Sequence, residues 1–293
     1  MPSFSVMTFN VRGTPAYDDV NHWQHRGPLN LRTIQTYAPD LIGFQELQVG
    51  NAATYEQAFP YYQWTLGAEY NRPGRLLYCG IYWNTARWRP LQQGSFYLSE
   101  TCDRWSSSWG SARIKVATWV VLEWVAGAGD PLRLVHLNTH LDHGSAIARQ
   151  RGAKLILEKL NDLNPAGLPV VLTGDFNTPL PLVNGGTRSA FREPNAHDLF
   201  CGQGFCDTFL ACGHRDAPGV HTVHNFQGEG FTADEAMAQQ ETDQPINWRL
   251  DWVLTRNGTH HAFSTQSCQI IKDAEPPVYP SDHYPVIAHL ELA

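Results

Sequence analysis

The sequence has little of what several classes of protein depend on. No apolar run approaches the ~20 residues that a membrane-spanning helix needs, and the opening MPSFSVMTFN has no basic stretch followed by an apolar block. Charged residues make up only 17% of the chain, and the net charge of −7 disfavours a protein that grips long nucleic acid with a basic face. We therefore expect no membrane span, and the lack of a visible signal favours the cytoplasm.

Cysteine is also scarce and is not arranged for metal binding. None of the six cysteines forms a C-x-x-C pair, so the spacing typical of a zinc site is missing. We expect free thiols, most of them buried, in a reducing compartment. A disulfide between Cys201 and Cys206 is the alternative if the protein is exported.

Short apolar runs recur along the 293 residues and predict the fold class. With 42% hydrophobic residues and no convincing linker, the chain reads as a single domain, residues 1–293. Helices are predicted over Pro28 to Tyr37 and over Ser145 to Leu160. Since strands outnumber helices, we expect a mixed α/β fold in which a pair of sheets is flanked by helices. The predicted strands are Phe4 to Val11, Leu41 to Phe44, Lys115 to Val125, Leu132 to Leu137, Val170 to Leu172, Trp248 to Leu254 and Val286 to Leu292.

Polar side chains lie consistently at the ends of these runs. Strands that run parallel bring such groups to one rim, and antiparallel neighbours reach the same rim with their starts. Residues i and i+2 of an extended chain share a face, which pairs His140 with Asp142, Asp175 with Asn177 and Arg249 with Asp251. The residues at these ends are Asn10, Gln45, Glu46, His140, Asp142, Asp175, Asn177, Asp251, Asp282 and His283.

Oxygen donors dominate this set, which suits a hard cation. Glu46, Asp282 and Asn10 are candidate ligands for Mg²⁺ or Mn²⁺, with waters completing the octahedron. Zinc is less attractive because thiol and paired imidazole candidates are few.

These stretches together resemble the endonuclease/exonuclease/phosphatase superfamily, which includes deoxyribonucleases, deadenylases and inositol polyphosphate 5-phosphatases. The resemblance implies a four-layer α/β/β/α sandwich and hydrolysis of phosphoesters with a divalent metal. The matching stretches, in family order, are TFNVR (8–12), DLIGFQE (40–46), LNTHLDH (137–143), TGDFN (173–177), WRLDWVL (248–254) and SDHYPV (281–286).

The resemblance also implies a role for each matching residue. Glu46 would be the principal metal ligand, with Asn10 and Asp282 beside the same ion. His140 would contact the scissile phosphate. The residues that complete the expected catalytic set are Asp175 and Asn177, which would orient the attacking water and the phosphate, and Asp251 and His283, which would pair at the phosphate. The expected substrate contacts are Asn10, Arg113, Lys115, Asp142 and Arg249.

Two positions depart from the family pattern. Apurinic endonucleases have an acidic residue where this chain has Arg12. This difference weakens the expectation that the protein cleaves DNA at abasic sites. Bacterial relatives with a similar S-x-x-W-G…T-W stretch usually have Arg at the place of Lys115, and here Arg113 precedes it by two residues. Residues 113 and 115 share a strand face, so either can reach a phosphate.

The general base and the substrate stay open at this point. Asp175 is the first choice to deprotonate the water, and the pair Asp251–His283 is the alternative base or a charged clamp on the phosphate. We favour a phosphodiesterase or nuclease for small or single-stranded substrates. A sugar- or inositol-phosphate phosphatase is the first alternative, and an inactive binding protein is the second. No protein partner is evident.

We expect the residues that select the substrate to lie in two loop regions, residues 178–244 and Glu69 to Gly80. Loops on a rigid scaffold usually determine which substrate is bound. Aromatic stretches that can stack on bases or sugars are Tyr61 to Trp64, Trp105 to Trp109 and Phe226 to Phe231. Ordinary packing of aromatic residues is the alternative for these stretches.

Overall fold

A computed structural model describes residues 1–15, 18–127, 132–181, 195–232 and 246–293. The strands in chain order are β1 (Ser3–Asn10), β2 (Leu41–Gln45), β3 (Tyr62–Thr65), β4 (Tyr70–Arg72), β5 (Arg75–Leu77), β6 (Ile81–Asn84), β7 (Trp88–Tyr97), β8 (Val116–Trp124), β9 (Arg133–His140), β10 (Val170–Asp175), β11 (Leu180–Pro181), β12 (Phe205–Asp207), β13 (Ile246–Asn247), β14 (Asp251–Arg256), β15 (Phe263–Ile270) and β16 (Val286–Leu292). The α-helices are α1 (Trp23–Tyr37), α2 (Val49–Ala58), α3 (Ala146–Leu163), α4 (Ala196–Gly202) and α5 (Thr208–Ala211), and short 3₁₀ turns cover Asp19–Asn21 and Gly228–Gly230.

Two six-stranded sheets form the centre of the molecule. Their strand orders are β15-β16-β1-β2-β6-β3 and β12-β14-β10-β9-β8-β7. The pairs β1–β2 and β9–β10 are parallel, with Asn10 opposite Gln45 and His140 opposite Asp175. β14 runs antiparallel to β10 and sets Asp251 opposite Asp175. The polar strand ends therefore meet at one rim, as the sequence predicts.

Three apolar clusters separate four layers. α1 and α2 cover one sheet through residues such as Ile34 and Tyr55. Val6 and Val171 belong to the cluster between the two sheets. Ile156 of α3, with residues of α4, covers the other sheet. The mixed α/β sandwich of two sheets flanked by helices is confirmed.

A small polar cluster between β2, β9 and β10 joins the two sheets. Asn138 donates from Nδ2 to the carbonyl oxygen of Phe44 at 2.7 Å, and its Oδ1 accepts from Gln45 Nε2 at 2.7 Å and from Thr173 Oγ1 at 3.1 Å. A Cβ at Gly43 would lie 2.1 Å from Thr173 Oγ1, so glycine is required for this approach. The cluster fixes the spacing of the two sheets below the rim.

Several element boundaries differ from the sequence expectations. α1 begins at Trp23, one turn before the predicted start, because His22 caps it through Nδ1 at 3.4 Å from Gln24 N. α3 agrees well, with Ser145 as its N-cap. β9 and β10 run on to His140 and Asp175, so these residues end the strands rather than follow them.

The cysteines and the helices bear on two further expectations. All six cysteines are free, including Cys201 and Cys206, so the alternative disulfide does not form. Only Cys79 and Cys268 are buried, however, and Cys206 is exposed. No helix in the described ranges combines the length and apolar character needed to cross a bilayer.

Candidate active site

A cavity of about 530 Å³ opens at the rim where the polar strand ends meet. It lies between the ends of β1, β2, β9 and β10 and the start of β14. The residues that line it are Arg12, Glu46, Tyr70, Asn71, Arg75, Leu77, Arg113, Lys115, His140, His143, Asp175, Asn177, Pro179, Val223, Asn225, Phe231, Trp248, Leu250, Asp282 and His283.

Two carboxylates and an imidazole form a buried cluster at the base of this cavity, which Asp175 and His283 line and Asp251 supports from behind. His283 Nδ1 lies 2.8 Å from Asp251 Oδ2, and His283 Nε2 lies 3.9 Å from Asp175 Oδ2. Burial lowers the pKa of His283, but the charges of Asp251 and Asp175 outweigh it and raise that pKa to about 10. The imidazole is therefore protonated at neutral pH, with Nδ1–H donated to Asp251.

Asp175 is held by its neighbours in a defined orientation. Asn10 Nδ2 donates to Asp175 Oδ2 at 2.9 Å, and the backbone N–H of Asn177 donates to Asp175 Oδ1 at 3.0 Å. Burial and the charge of Asp251 raise the pKa of Asp175 to about 7, although His283 and Asn10 lower it. A carboxylate with a pKa near neutrality is suited to accept a proton from water.

A hydrogen-bonded chain links His140 to Glu46 through Tyr70. The backbone N–H of Glu46 donates to the Tyr70 hydroxyl at 3.0 Å, and that hydroxyl lies 3.0 Å from His140 Nδ1. Burial, together with the charge of Lys115, holds the pKa of His140 well below its ordinary value. The imidazole is neutral, and the tautomer in which Nδ1 accepts from the Tyr70 hydroxyl places the proton on Nε2. That N–H lies 3.5 Å from Asp175 Oδ2.

Arg12 and Asp282 lie on the Glu46 side of the cavity. Arg12 Nη1 is 3.4 Å from Asp282 Oδ2, and the charges of Asp282 and Glu46 raise the pKa of Arg12 against the effect of burial. Burial raises the pKa of Asp282, but the charges of His283 and Arg12 lower it by more. Ser281 Oγ donates to the carbonyl oxygen of Asn10 at 2.6 Å and so ties the Asp282 segment to β1.

The backbone is unusual at four positions that line the cavity. Arg12, Glu46, Asn177 and Asn225 have positive φ values of 61°, 54°, 45° and 46°. Each such non-glycine residue costs of order 1–3 kcal/mol, and residues of this kind cluster where function requires them. This strain motivates a functional role for the four residues.

Two sets of side chains come into consideration as ligands of a divalent cation, one from its geometry and one from the sequence. The ligand atoms of Asp175, Asp251 and His283 lie within 4.8 Å of one another, and Asp251 Oδ1 is buried with no hydrogen-bond partner among the described residues. The second set is Glu46, Asp282 and Asn10, as the sequence predicts. Asn10 Oδ1 accepts from the backbone N–H of Arg12 at 3.0 Å, and Asp282 Oδ2 lies 3.4 Å from Arg12 Nη1. The carboxylate of Glu46 faces the cavity and makes no hydrogen bond or contact-distance ion pair within the described chain. Both sets offer the oxygen donors that Mg²⁺ and Mn²⁺ prefer.

Most of the predicted site residues come together. Glu46, Arg113, Lys115, His140, Asp175, Asn177, Asp282 and His283 line the cavity directly. Asn10 and Asp251 lie one contact away, through Asp175 and His283.

Arg249 is placed elsewhere, which corrects its expected contact with the substrate. Its guanidinium is 1% exposed and pairs with Asp207 at 2.8 Å and with Asp216 at 2.7 Å. The sequence expectation failed because β14 begins only at Asp251, so the alternation of an extended strand does not apply to Arg249.

Asp142 is corrected as well. Its carboxylate is occupied by the backbone N–H groups of Gly144 at 2.9 Å and Ser145 at 2.7 Å and by the hydroxyl of Ser111 at 2.5 Å. The strand β9 ends at His140, and Asp142 instead organises the turn before α3. It supports the wall of the cavity but does not line it.

Some lining residues were missed by sequence reasoning. Tyr70 and Arg75 lie inside the stretch Glu69 to Gly80, where selectivity was expected, but nothing in the sequence singles them out. Arg12 was noted only as a departure from a family pattern. Of the aromatic stretches, Phe231 alone lines the cavity, and Trp248 joins it. Within residues 178–244, the parts 182–194 and 233–244 lie outside the described residues.

The family model described as "Endonuclease/Exonuclease/phosphatase family" matches residues 7–283. This chain belongs to that family. Family members are hydrolases that act on phosphoester bonds and are generally dependent on a divalent metal. No curated protein matches the chain in a sequence search.

Solved structures share the fold over nearly the whole chain. The mannosyl-6-phosphatase of Bacteroides thetaiotaomicron is 24% identical, with a TM-score of 0.77, covering 98% of this chain and 99% of the other. The catalytic domain of human Nocturnin, solved with a bound sulfate, is 18% identical, with a TM-score of 0.68 and coverage of 100% and 94%. TDP2 of D. rerio, in complex with a single-stranded DNA product, is 14% identical, with a TM-score of 0.67 and coverage of 99% and 100%.

Proposed function

We propose that this protein is a Mg²⁺- or Mn²⁺-dependent phosphoester hydrolase that acts on small phosphorylated molecules. The observation that carries the proposal is the joint placement of Glu46, Asp282, His140, Asp175 and His283 around one cavity. Glu46 and Asp282 offer oxygen ligands for a cation, and Asp175 offers a base. His140 offers a neutral hydrogen-bond donor, and His283 offers a charged one, all in the same cavity. Because each of these positions holds a residue with the required chemistry, the site argues against a binding protein that has lost catalysis.

Glu46, Asp282 and Asn10 would hold the cation. When bound, the ion supplies positive charge for a phosphate oxygen and for the leaving alkoxide. We choose this set over Asp175, Asp251 and His283 because those three side chains are already engaged with the protein. His283 Nδ1 lies 2.8 Å from Asp251 Oδ2, and Asp175 Oδ2 accepts from Asn10 Nδ2 at 2.9 Å.

The remaining residues bind the phosphate and activate the water. Asp175 accepts the proton of the attacking water, and Asn10 and Asn177 keep its carboxylate in place. His140 donates from Nε2 to a phosphate oxygen, since its Nδ1 is occupied by Tyr70. His283 acts as a charged clamp whose proton is retained by Asp251.

A small phosphorylated molecule suits the dimensions and the charge of the site. The cavity of about 530 Å³ encloses a molecule of sugar phosphate or nucleotide size, while the net charge of −7 gives no support for binding a long polynucleotide. The similar mannosyl-6-phosphatase adds support for a phosphorylated sugar. The end of a single-stranded nucleic acid is the second candidate, because Phe231 and Trp248 line the cavity and can stack on a base.

An assay with p-nitrophenyl phosphate and bis-p-nitrophenyl phosphate tests the proposal. Each ester is incubated with Mg²⁺, with Mn²⁺ and with EDTA, and release of p-nitrophenol is followed. We expect turnover that requires the metal and is abolished by EDTA. Turnover that persists in EDTA, or no turnover of either ester, contradicts the proposal. A panel of phosphorylated sugars, nucleotides and short oligonucleotides then identifies the substrate.

A further inference from the structure

A buried lysine without a charged partner lies in the wall of the cavity. Lys115 is 5% exposed and lines the cavity. Its ammonium makes no hydrogen bond and no ion pair at contact distance within the described part of the chain. The ring centroid of Tyr70 lies 5.8 Å from Nζ. A buried charge that has lost its water and has no counter-ion costs several kcal/mol.

The charges of three carboxylates act on Lys115, and of these Asp142 and Asp175 are committed to other groups, while Glu46 is the proposed metal ligand. Asp142 accepts from Ser111, Gly144 and Ser145, and Asp175 accepts from Asn10 and Asn177. Their charges act on Lys115, but burial has the larger effect and lowers its pKa. Among the described residues no carboxylate lies at contact distance from Lys115 Nζ, so the side chain that lines the cavity is open to an anion that enters it.

Tyr70 fixes where such an anion would lie. The hydroxyl of Tyr70 is bonded both to His140 Nδ1 and to the backbone of Glu46, and the face of its ring lies toward Lys115. Lys115 and the Nε2–H of His140 are thus arranged around the same aromatic ring. An oxygen beside His140 is the natural partner for the lysine ammonium.

The number of positive groups around the phosphate position distinguishes two classes of ester. The Glu46 side would hold a metal, His283 presents a charged N–H, and the Tyr70 side presents Lys115 with His140. A phosphomonoester has three terminal oxygens and a charge near −2 at neutral pH. A diester has two terminal oxygens and a charge of −1, because its third oxygen carries a second alkyl group.

We propose that Lys115 binds the third terminal oxygen and makes the site selective for phosphomonoesters. This inference rests on the proposed phosphoesterase function and replaces the diester preference expected from the sequence. A second alkyl group at that position would meet a desolvated ammonium, which a diester cannot satisfy. The substrate class that follows is a small molecule with a terminal phosphate.

The experiment compares both p-nitrophenyl esters in the wild type, Lys115→Met and Lys115→Arg. Lys154→Met, at an exposed lysine of α3, is the matched control. We expect Lys115→Met to lower kcat/KM for the monoester about 100-fold, the loss of one charge-assisted hydrogen bond, and that for the diester less than about 3-fold. Lys115→Arg should restore most of the monoester activity. An equal loss for both esters, or no loss, overturns the inference.

Binding to the wild type gives a test that needs no variant. With Mg²⁺ present, inorganic phosphate should inhibit at least about 10-fold more strongly than dimethyl phosphate. Equal inhibition by the two anions overturns the inference even if Lys115→Met does not fold. Absence of metal-dependent turnover of either ester removes the phosphoesterase function itself, whereas equal losses in Lys115→Met leave that function standing.

Discussion

Two buried clusters of charge lie on either side of the start of β14, and they differ in how completely their charges are satisfied. In the first, Arg249 pairs with Asp207 and Asp216, and His197 Nε2 lies 2.9 Å from Asp207. In the second, the cavity cluster, the Glu46 carboxylate and the Lys115 ammonium face the cavity without partners at contact distance among the described residues. We call the first cluster saturated, because its charges are paired within the protein, and such a cluster is costly to break. The second cluster is unsaturated, because some of its charges lack partners, and it is suited to bind a ligand.

The comparison explains why similar residues receive different assignments. Arg249 and Lys115 are both buried cations in segments that resemble family motifs. The guanidinium of Arg249 also packs 4.9 Å from the ring centroid of Phe209, and its Nε and Nη2 both donate to carboxylates. A residue type and a motif position therefore do not decide whether a cation contacts the substrate. The placement of the nearest carboxylates does.

The largest effect is expected from removing the metal ligand of the cavity cluster. Glu46→Gln should lower metal-dependent turnover by at least about 10³-fold, because the neutral amide is a much weaker ligand for Mg²⁺. Steady-state kinetics and a calorimetric titration with Mn²⁺ measure the loss of activity and of binding. Glu158→Gln, at an exposed position of α3, is the control. Near-normal turnover in Glu46→Gln would refute the assignment.

His283→Asn tests the charged floor of the same cluster. The variant removes the protonated imidazole that Asp251 holds, and we expect kcat to fall about 10³-fold. Circular dichroism and thermal denaturation should show a folded protein. An unchanged kcat would remove His283 from the site.

A substitution in the saturated cluster around Arg249 should lower the stability of the protein and leave its activity nearly unchanged. Arg249→Met leaves the buried Asp207 without its cation, and we expect the free energy of unfolding to fall by about 3–5 kcal/mol. Urea denaturation measures this, with Arg151→Met on the exposed face of α3 as control. At a temperature where the variant is folded, its kcat should stay within about 3-fold of the wild type. A large loss of kcat in folded protein would return Arg249 to the substrate site.

The smallest effect is a pH dependence of stability. Burial raises the pKa of Asp207, but Arg249 and His197 lower it well below its ordinary value. A depressed folded-state pKa contributes stability that is complete above the unfolded pKa near 4 and is lost as the pH falls below it. The difference in unfolding free energy between the wild type and Asp207→Asn should therefore shrink as the pH falls from about 5 to about 2. A constant difference, as we expect for exposed Asp162→Asn, would contradict this.

Sequence reasoning anticipated the sandwich and most of the rim because both depend on local patterns. β16 runs over the predicted Val286–Leu292, and Ser145 caps α3 as expected. The polar ends of β1, β2, β9 and β10 follow from parallel pairing. That residues 1–293 form one domain, and that the protein is cytoplasmic, stay predictions.

Other features depend on contacts between distant segments. Tyr70 acquires its place only because β4 and β5 dock beside His140, and no periodicity signals that. Arg12 reaches Asp282 because Arg26 donates to the carbonyl oxygen of Val11 at 2.6 Å and to that of Pro280 at 3.1 Å. Asp142 and Arg249 lie just beyond the strand ends, where alternation of side chains no longer holds.

A crystal structure with Mn²⁺ tests the central claim most directly. Anomalous scattering locates the ion without any assumption about its ligands. We predict a single strong peak coordinated by Glu46 and Asp282, with His283 still paired to Asp251. A peak held instead by Asp175, Asp251 and His283, with Glu46 uncoordinated, would contradict the account.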